Sequence, residues 1–295
     1  MNKNKIPVAF SFDDNYALPA AIAIKSLLDS KKKNTQYEIY CLFTNLSDKN
    51  RRLMDTIADI NWIDIQNDVF VDAPVTSEYP ISVYYRLALH DILSQYDTII
   101  YSDVDVLFQW DLTKAYQTDL QDTYWAGVPL EKNEIVSPET LSKQVGTPED
   151  PHFMSGHTKF PENLNEEIFA SGFMVINANK MREDNMTEKF LETIKNFDGR
   201  LKMFDLDVLN LACQDNTIKK LPFDYCVLED IALATDYKNC NLYPYLSRIF
   251  SDKDLEKAIN DPIILHYTWA NPIRVRNREE KKQPLSYRPF FSMVS

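Results

Sequence analysis

The stretch Tyr96-Asp97-Thr98-Ile99-Ile100-Tyr101-Ser102-Asp103-Val104-Asp105-Val106-Leu107-Phe108 decides how this chain is read. Ile99, Ile100 and Tyr101 form a short apolar, β-favouring run of the kind found inside a sheet covered on both faces. Asp103 and Asp105 follow where such a strand emerges. In open α/β sheets, ligands bind in the crevice beyond the carboxyl ends of the strands. Two carboxylates two residues apart can share one divalent cation such as Mn²⁺ or Mg²⁺, and that cation can carry a diphosphate. Asp-x-Asp by itself also fits a turn with two solvated acids. The apolar strand before it and the return to Val106-Leu107-Phe108 favour metal-assisted chemistry on a nucleotide diphosphate.

Strands and helices alternate on either side of this segment. Ile6 to Phe12 reads as a first strand, closed by the polar cluster Asp13-Asp14-Asn15-Tyr16. Leu18 to Leu28 has helical spacing, Tyr37 to Thr44 is a second strand, and Ser47 suits the N-cap of a helix through about Asp59. Trp62 to Gln66 reads as a short third strand. Ile81 to Leu93 is apolar at helical spacing and carries Tyr84, Tyr85 and Arg86. Further on, Trp125 to Leu130 and Phe169 to Asn177 read as strands, Asn179 to Phe197 as one amphipathic helix, and Asp205 to Cys213 as a shorter one. Asp205 and Asp207 there fit acids that complement a helix dipole as well as they fit catalysts. Pro262 to Tyr267 is a last apolar strand. His266 near its end is read either as a structural histidine or as the third member of an Asp/Asp/His site, and spacing alone leaves both open. The alternation implies a doubly wound, largely parallel sheet. Residues 133–165 hold four prolines and two glycines without periodicity, the signature of a long functional loop such as a lid.

Composition narrows the function. The chain has 295 residues, 44% of them hydrophobic, and no apolar run approaches the roughly 18 residues of a membrane span. The start runs directly into a strand, which gives the expectation of a cytoplasmic protein without a secretion signal. Cys41, Cys213, Cys226 and Cys240 show no paired spacing and read as reduced, mostly buried thiols. The net charge of −12 argues against nucleic acid as a partner. From Ala270 on, six basic residues face only Glu279 and Glu280, an excess of +4 that leaves −16 for the rest. With Tyr287, Phe290 and Phe291 beside them, these charges fit a peripheral contact with the inner face of a membrane as well as they fit a solvated arm. The five glycines are scattered, which excludes the clustered glycines of a dinucleotide fold or P-loop. A bound diphosphate would therefore be held by metal and side chains.

Four blocks together resemble the retaining glycosyltransferases of family 8, of the GT-A type, which include bacterial lipopolysaccharide glucosyl- and galactosyltransferases and glycogenin. They are Phe12-Asp13-Asp14-Asn15-Tyr16; Tyr85-Arg86-Leu87 with Ile100 to Leu107; Ser171-Gly172-Phe173-Met174-Val175-Ile176-Asn177; and Asp207-Val208-Leu209-Asn210 with Leu265-His266-Tyr267. The resemblance runs from about Val8 to Pro272. It implies a GT-A fold: α/β, with a Rossmann-like, mostly parallel mixed sheet flanked by helices. One glycosyltransferase domain over residues 1–270 would be followed by a basic-aromatic tail over 271–295.

The same resemblance implies a UDP-sugar donor and a Mn²⁺ (or Mg²⁺) ion bound by Asp103, Asp105 and His266. Uracil would be held by Ser11, Asp13 and Asn15, with Tyr16 stacking on the base. Arg86 would lie near the donor phosphates and sugar, with Val104, Ser171 and Gly172 completing the nucleotide-sugar site. Glu131 would contact the donor sugar, and Asp205 and Asp207 would face it from the other side as catalytic acids. The acceptor would be a saccharide, glycolipid or glycoprotein. Family members often have Asn before the Ala-Gly or Ser-Gly pair, where this chain has Ala170, and Asp-Gln-Asp where it has Asp205-Leu206-Asp207. The usual Gly and Lys after the histidine are replaced by Trp269-Ala270 and Asn271.

The activity so implied is retaining transfer of a hexose, glucose or galactose, from a UDP-sugar to a saccharide hydroxyl in bacterial surface glycan or glycoprotein synthesis. The alternative is a non-catalytic UDP-sugar- or saccharide-binding relative of the same fold. A nucleotidyltransferase is a further enzyme class. An aspartyl phosphatase fits poorly, because its motif belongs near the amino terminus and here lies a third of the way in.

Overall fold

A computed structural model of the chain describes residues 5–66, 69–76, 79–132, 166–197, 199–201, 203–213 and 217–267. Its strands in chain order are β1 Lys5–Phe12, β2 Gln36–Phe43, β3 Ile60–Asp64, β4 Thr98–Ser102, β5 Val106–Phe108, β6 Trp125–Gly127, β7 Pro129–Lys132, β8 Glu167–Phe169, β9 Phe173–Asn177, β10 Ile218–Lys220, β11 Val227–Leu228 and β12 Ile264–His266. Seven of them form the main sheet in the order β10-β6-β9-β4-β1-β2-β3. All neighbours in it are parallel except β9, which runs antiparallel to both β4 and β6. The expected mixed, mostly parallel sheet flanked by helices is what forms.

Both faces of this sheet are covered, which is why its strands read as apolar runs rather than alternations. Val8, Phe10 and Ile100 point into one core with the helix Ala17–Ser30. Ala9, Ile99 and Tyr101 point into the other, with the segment 81–92 and the helices between 178 and 212. Ser47 caps the helix Asp48–Asp55 by accepting from the amide of Asn50, as its position predicts.

Three expected elements are broken, each for a physical reason. The segment Ile81–Ala88 is a 3-10 helix, with only Leu89–Ile92 in α-helical form. The tighter helix superposes residues three apart, and Pro80, Val83 and Arg86 all face one cleft. The predicted strand Phe169–Asn177 stops at Phe169 and resumes at Phe173, because Ala170-Ser171-Gly172 leave the sheet and turn their backbone groups elsewhere. The predicted helix Asn179–Phe197 is two helices, Ala178–Glu183 and Met186–Asn196, separated at Asn185, which takes the left-handed conformation (φ 53°) that asparagine tolerates.

The predicted strand 125–130 also divides. β6 belongs to the main sheet, whereas β7 pairs with β8 in a two-stranded ribbon that carries a register shift between Pro129 and Glu131. A third sheet, β11-β12-β5, was not legible in the sequence. It takes the chain out of the main sheet directly after Ser102, so that Asp103 and Asp105 occupy the span between two sheets. The 133–165 loop and the tail from 268 onward, with the expected boundary at residue 270, lie outside the described residues.

Candidate active site

Asp103, Asp105 and His266 converge at the carboxyl end of β4, with one donor atom from each lying within 4.8 Å of the others. His266 Nε2 stands 3.2 Å from Asp105 Oδ1 and 3.8 Å from Asp103 Oδ2. The sheet arrangement explains the convergence. β12 runs antiparallel to β5, placing His266 opposite Val106 and hence beside Asp105. Two backbone bonds pin the acids: the Asp103 amide donates to Gly172, and the Tyr267 amide donates to the Asp105 carbonyl. Gly172 is required here, since a Cβ at this position would collide with the His266 ring and come within 3.0 Å of Asp103 Oδ2.

Asp103 is oriented by its other oxygen. Oδ1 accepts from Arg86 Nη2 at 2.7 Å and from the Tyr101 hydroxyl at 3.0 Å, and that hydroxyl is itself 3.0 Å from Ser11 Oγ. Oδ2 is thereby left toward His266. Two carboxylates and one imidazole form a donor set that suits Mn²⁺ or Mg²⁺, the nitrogen favouring the borderline metal. A side chain at Gly172 would press on both His266 and Asp103 Oδ2, so the glycine keeps these two donors uncovered.

Arg86 is the electrostatic centre of the site. Its Nη1 donates to the Ser171 carbonyl at 2.8 Å and its Nε to the Val83 carbonyl at 2.9 Å, and its guanidinium lies over the Tyr101 ring, 4.3 Å from the centroid. Asp205 Oδ2 stands 3.2 Å from the same Nε. Burial opposes the charge on Arg86, but Asp103 and Asp205 outweigh it and raise the guanidinium pKa. Burial pushes Asp205 up to about 6, with Arg86 acting against the rise. Burial also works against a charged His266, yet the Asp105 carboxylate beside it raises its pKa well above the ordinary value.

The cleft over these groups is lined by Ser11, Phe12, Tyr16, Arg86, Asp103, Val104, Asp105, Ser171, Gly172, Asp205 and His266 among the residues expected from the sequence or adjoining them. Other expected residues stand off it. Asp13 turns back to accept from the amide and side chain of Asn15, capping the turn Asp14–Tyr16. Glu131 is fully buried in β7, and its neighbour Leu130 lines the cleft instead. Asp207 accepts from the Met203 amide at 2.9 Å in the first turn of the helix Asp205–Ala212, while Met203 and Leu206 reach the cleft. Sequence reasoning missed Tyr79, which stacks on Phe204 with ring centroids 4.7 Å apart and also lines the cleft. The run Tyr79-Pro80 just before the Arg86 segment was the signal available for it.

Comparison with known proteins gives this geometry its context. The sequence profile of glycosyl transferase family 8 matches residues 7–271. The chain belongs to glycosyl transferase family 8. Lipopolysaccharide 1,2-glucosyltransferase of Escherichia coli is 26% identical to it over 281 residues, which cover 90% of this chain and 74% of that protein. An active-site mutant of LgtC superposes with a TM-score of 0.71 at 19% identity, covering 98% of this chain and 95% of LgtC. The galactosyltransferase LgtC in complex with donor and acceptor sugar analogues gives a TM-score of 0.68 at 19% identity, with the same coverage of both chains. The fold is thus GT-A in a single domain. As a family 8 member the chain is a glycosyltransferase, an enzyme class that takes a sugar donor and an acceptor. Among the described residues no helix is long and apolar enough to cross a membrane.

Proposed function

We propose that this enzyme transfers a hexose, glucose or galactose, from a UDP-sugar to a saccharide hydroxyl with retention of anomeric configuration. We further propose that it requires Mn²⁺, with Mg²⁺ as a substitute, and that it builds a lipopolysaccharide-type surface glycan. The observation that carries the reading is the convergence of Asp103, Asp105 and His266 over a buried Arg86 in one cleft. When bound there, the cation supplies Lewis-acid neutralisation of the departing diphosphate. The lipopolysaccharide assignment is supported by the name of the E. coli relative.

The chain's own residues do the rest. Tyr16 and Ser11 at the cleft wall receive the uracil, with Asp13 and Asn15 shaping the turn that presents Tyr16. Arg86 holds Asp103 in one orientation and keeps Asp205 close to the reacting sugar. The Asp205 carboxylate favours the positive charge that develops at the anomeric carbon. Asp207 fixes the Met203 amide, and Met203 and Leu130 form part of the apolar cleft wall. Leu206 carries no nucleophile, so a covalent glycosyl intermediate at that position is ruled out chemically. The acceptor hydroxyl then attacks on the face that UDP leaves, and its proton passes to the departing phosphate oxygen.

The reading includes a catalytic domain over 1–270 and a tail over 271–295 that meets an anionic membrane surface from the cytoplasmic side, where a lipid-linked acceptor would sit. A panel of UDP-sugars assayed for Mn²⁺-dependent UDP release, with the product anomer read by NMR, tests the chemistry. Binding of UDP-sugars without any turnover would establish the non-catalytic alternative, and an inverted product would remove retention. Deleting 275–295 should abolish binding to anionic vesicles at low salt; a full-length protein that ignores such vesicles would remove the membrane contact.

A further inference from the structure

Cys226 stands behind the imidazole of His266. Its Sγ lies 3.6 Å from Nδ1, whereas Nε2 on the same ring faces Asp105 and Asp103. The contact follows from strand pairing: β11 runs parallel to β12 with Leu228 opposite His266, so the residue that leads into β11 reaches the back of the ring. On another side the ring rests against Gly172, where even a methyl group would not fit. The two ring nitrogens therefore meet different surroundings, one a sulfur and the other two carboxylates. Cys226 does not belong to the mutually close donor group of Asp103, Asp105 and His266. A neutral imidazole carries one proton, and the hydrogen bond made by one nitrogen sets which lone pair the other presents.

Resting on the reading of Asp103, Asp105 and His266 as a cation site, we propose that Cys226 is a positioning residue for His266. Its sulfur accepts the hydrogen on Nδ1, so that Nε2 is the nitrogen whose lone pair would serve a cation held with the two carboxylates. Partners that orient a metal-binding histidine are ordinarily carboxylates, backbone carbonyls or water. Sulfur is a weaker acceptor than any of these, which leaves His266 a less basic ligand and makes the cation easier to release. Sequence alone gave Cys226 no distinction from the other buried thiols.

The test measures Mn²⁺ affinity by EPR in the full-length protein without nucleotide. Removing such an orienting partner typically weakens metal binding by about 10–100-fold, so Cys226→Ala should lose at least about tenfold. Cys226→Ser, which restores an acceptor, should stay within about threefold of wild type. Cys41→Ala removes another fully buried thiol and should lower stability while leaving Mn²⁺ affinity unchanged. Long-range ¹H–¹⁵N spectra of the Mg²⁺-loaded wild type should show Nδ1 protonated and Nε2 bare.

Unchanged affinity in Cys226→Ala, or an equal loss in Cys41→Ala, would overturn the inference. So would an Nε2-protonated His266 in the loaded wild type, a result that stands even if Cys226→Ala fails to fold. A wild-type protein that binds no Mn²⁺ would instead remove the underlying cation reading.

Discussion

Arg86, itself buried, pairs with the part-exposed Asp103 at 2.7 Å, and one carboxylate oxygen is used to aim the other. Oδ1 takes the guanidinium and the Tyr101 hydroxyl, so Oδ2 faces His266. The arginine thus serves the candidate cation site without being one of its three donor residues.

Removing Arg86 should be severe, because Asp103 and Asp205 both lose their positive neighbour. Breaking a buried pair by deleting one partner typically costs about 3–5 kcal/mol. Arg86→Ala should show a loss of that order in urea unfolding at pH 8, and a smaller one at pH 5, where the Asp205 carboxyl, pushed up to about 6 by burial, takes up a proton. Equal losses at the two pH values would show that packing, not charge, is what Arg86 supplies.

Asp103→Asn and Asp105→Asn should each lower Mn²⁺-dependent transfer by about a hundredfold or more while the far-UV spectrum stays unchanged. His266→Ala should be milder, since water can occupy the vacated position. Near-normal turnover in both asparagine variants would sink the ligand assignment.

Gly172→Ala tests the cradle rather than the ligands. The added Cβ would displace His266 and crowd Asp103, while the Gly172 carbonyl bond to the Asp103 amide need not change. Mn²⁺ binding should be lost in a protein whose melting temperature moves by only a few degrees. Mn²⁺ titration followed by EPR, with thermal unfolding alongside, separates the two effects.

Two buried titrations should pull stability in opposite directions. Burial drives His90 down from 6.5 to about 4, so its contribution is present above pH 6.5 and is lost as pH falls toward 4. Burial drives Asp205 up from 3.8 to about 6, so its contribution is present below pH 3.8 and is lost as pH rises through 6. Each shift corresponds to roughly 3 kcal/mol at most. In urea unfolding of the metal-free protein between pH 4 and 7, His90→Gln should lose less stability on acidification than wild type, and Asp205→Asn less on alkalinisation. Parallel profiles for all three proteins would refute both assignments.

The parts legible in the sequence are those with local cause. Ile99-Ile100-Tyr101 announces a doubly buried strand, Ser47 announces a helix start, and acids after a strand announce a site. What was not legible depends on distant pairing. β11 has two residues and β5 three, too few for any period, and their sheet exists only because β12 lies between them. Ser171 and Gly172 contribute backbone carbonyls, which no side-chain pattern reports. Glu131 illustrates a third limit: a register shift between Pro129 and Glu131 interrupts the regular alternation of β7, and no local pattern announces it. Arg86 lines the cleft where a donor near it was expected, and its bond to Asp103 is an addition that only the fold reveals.

His266 follows Asp105 by 161 residues and reaches it only when β12 slots between β11 and β5. At a synthesis rate of about 5–20 residues per second, the two acids leave the ribosome on the order of ten seconds before their histidine. Throughout that interval the nascent chain offers two carboxylates and an arginine that neutralises one of them, a poor trap for stray cations. The three-donor cage closes with the last described strand, so a chain released early cannot assemble it.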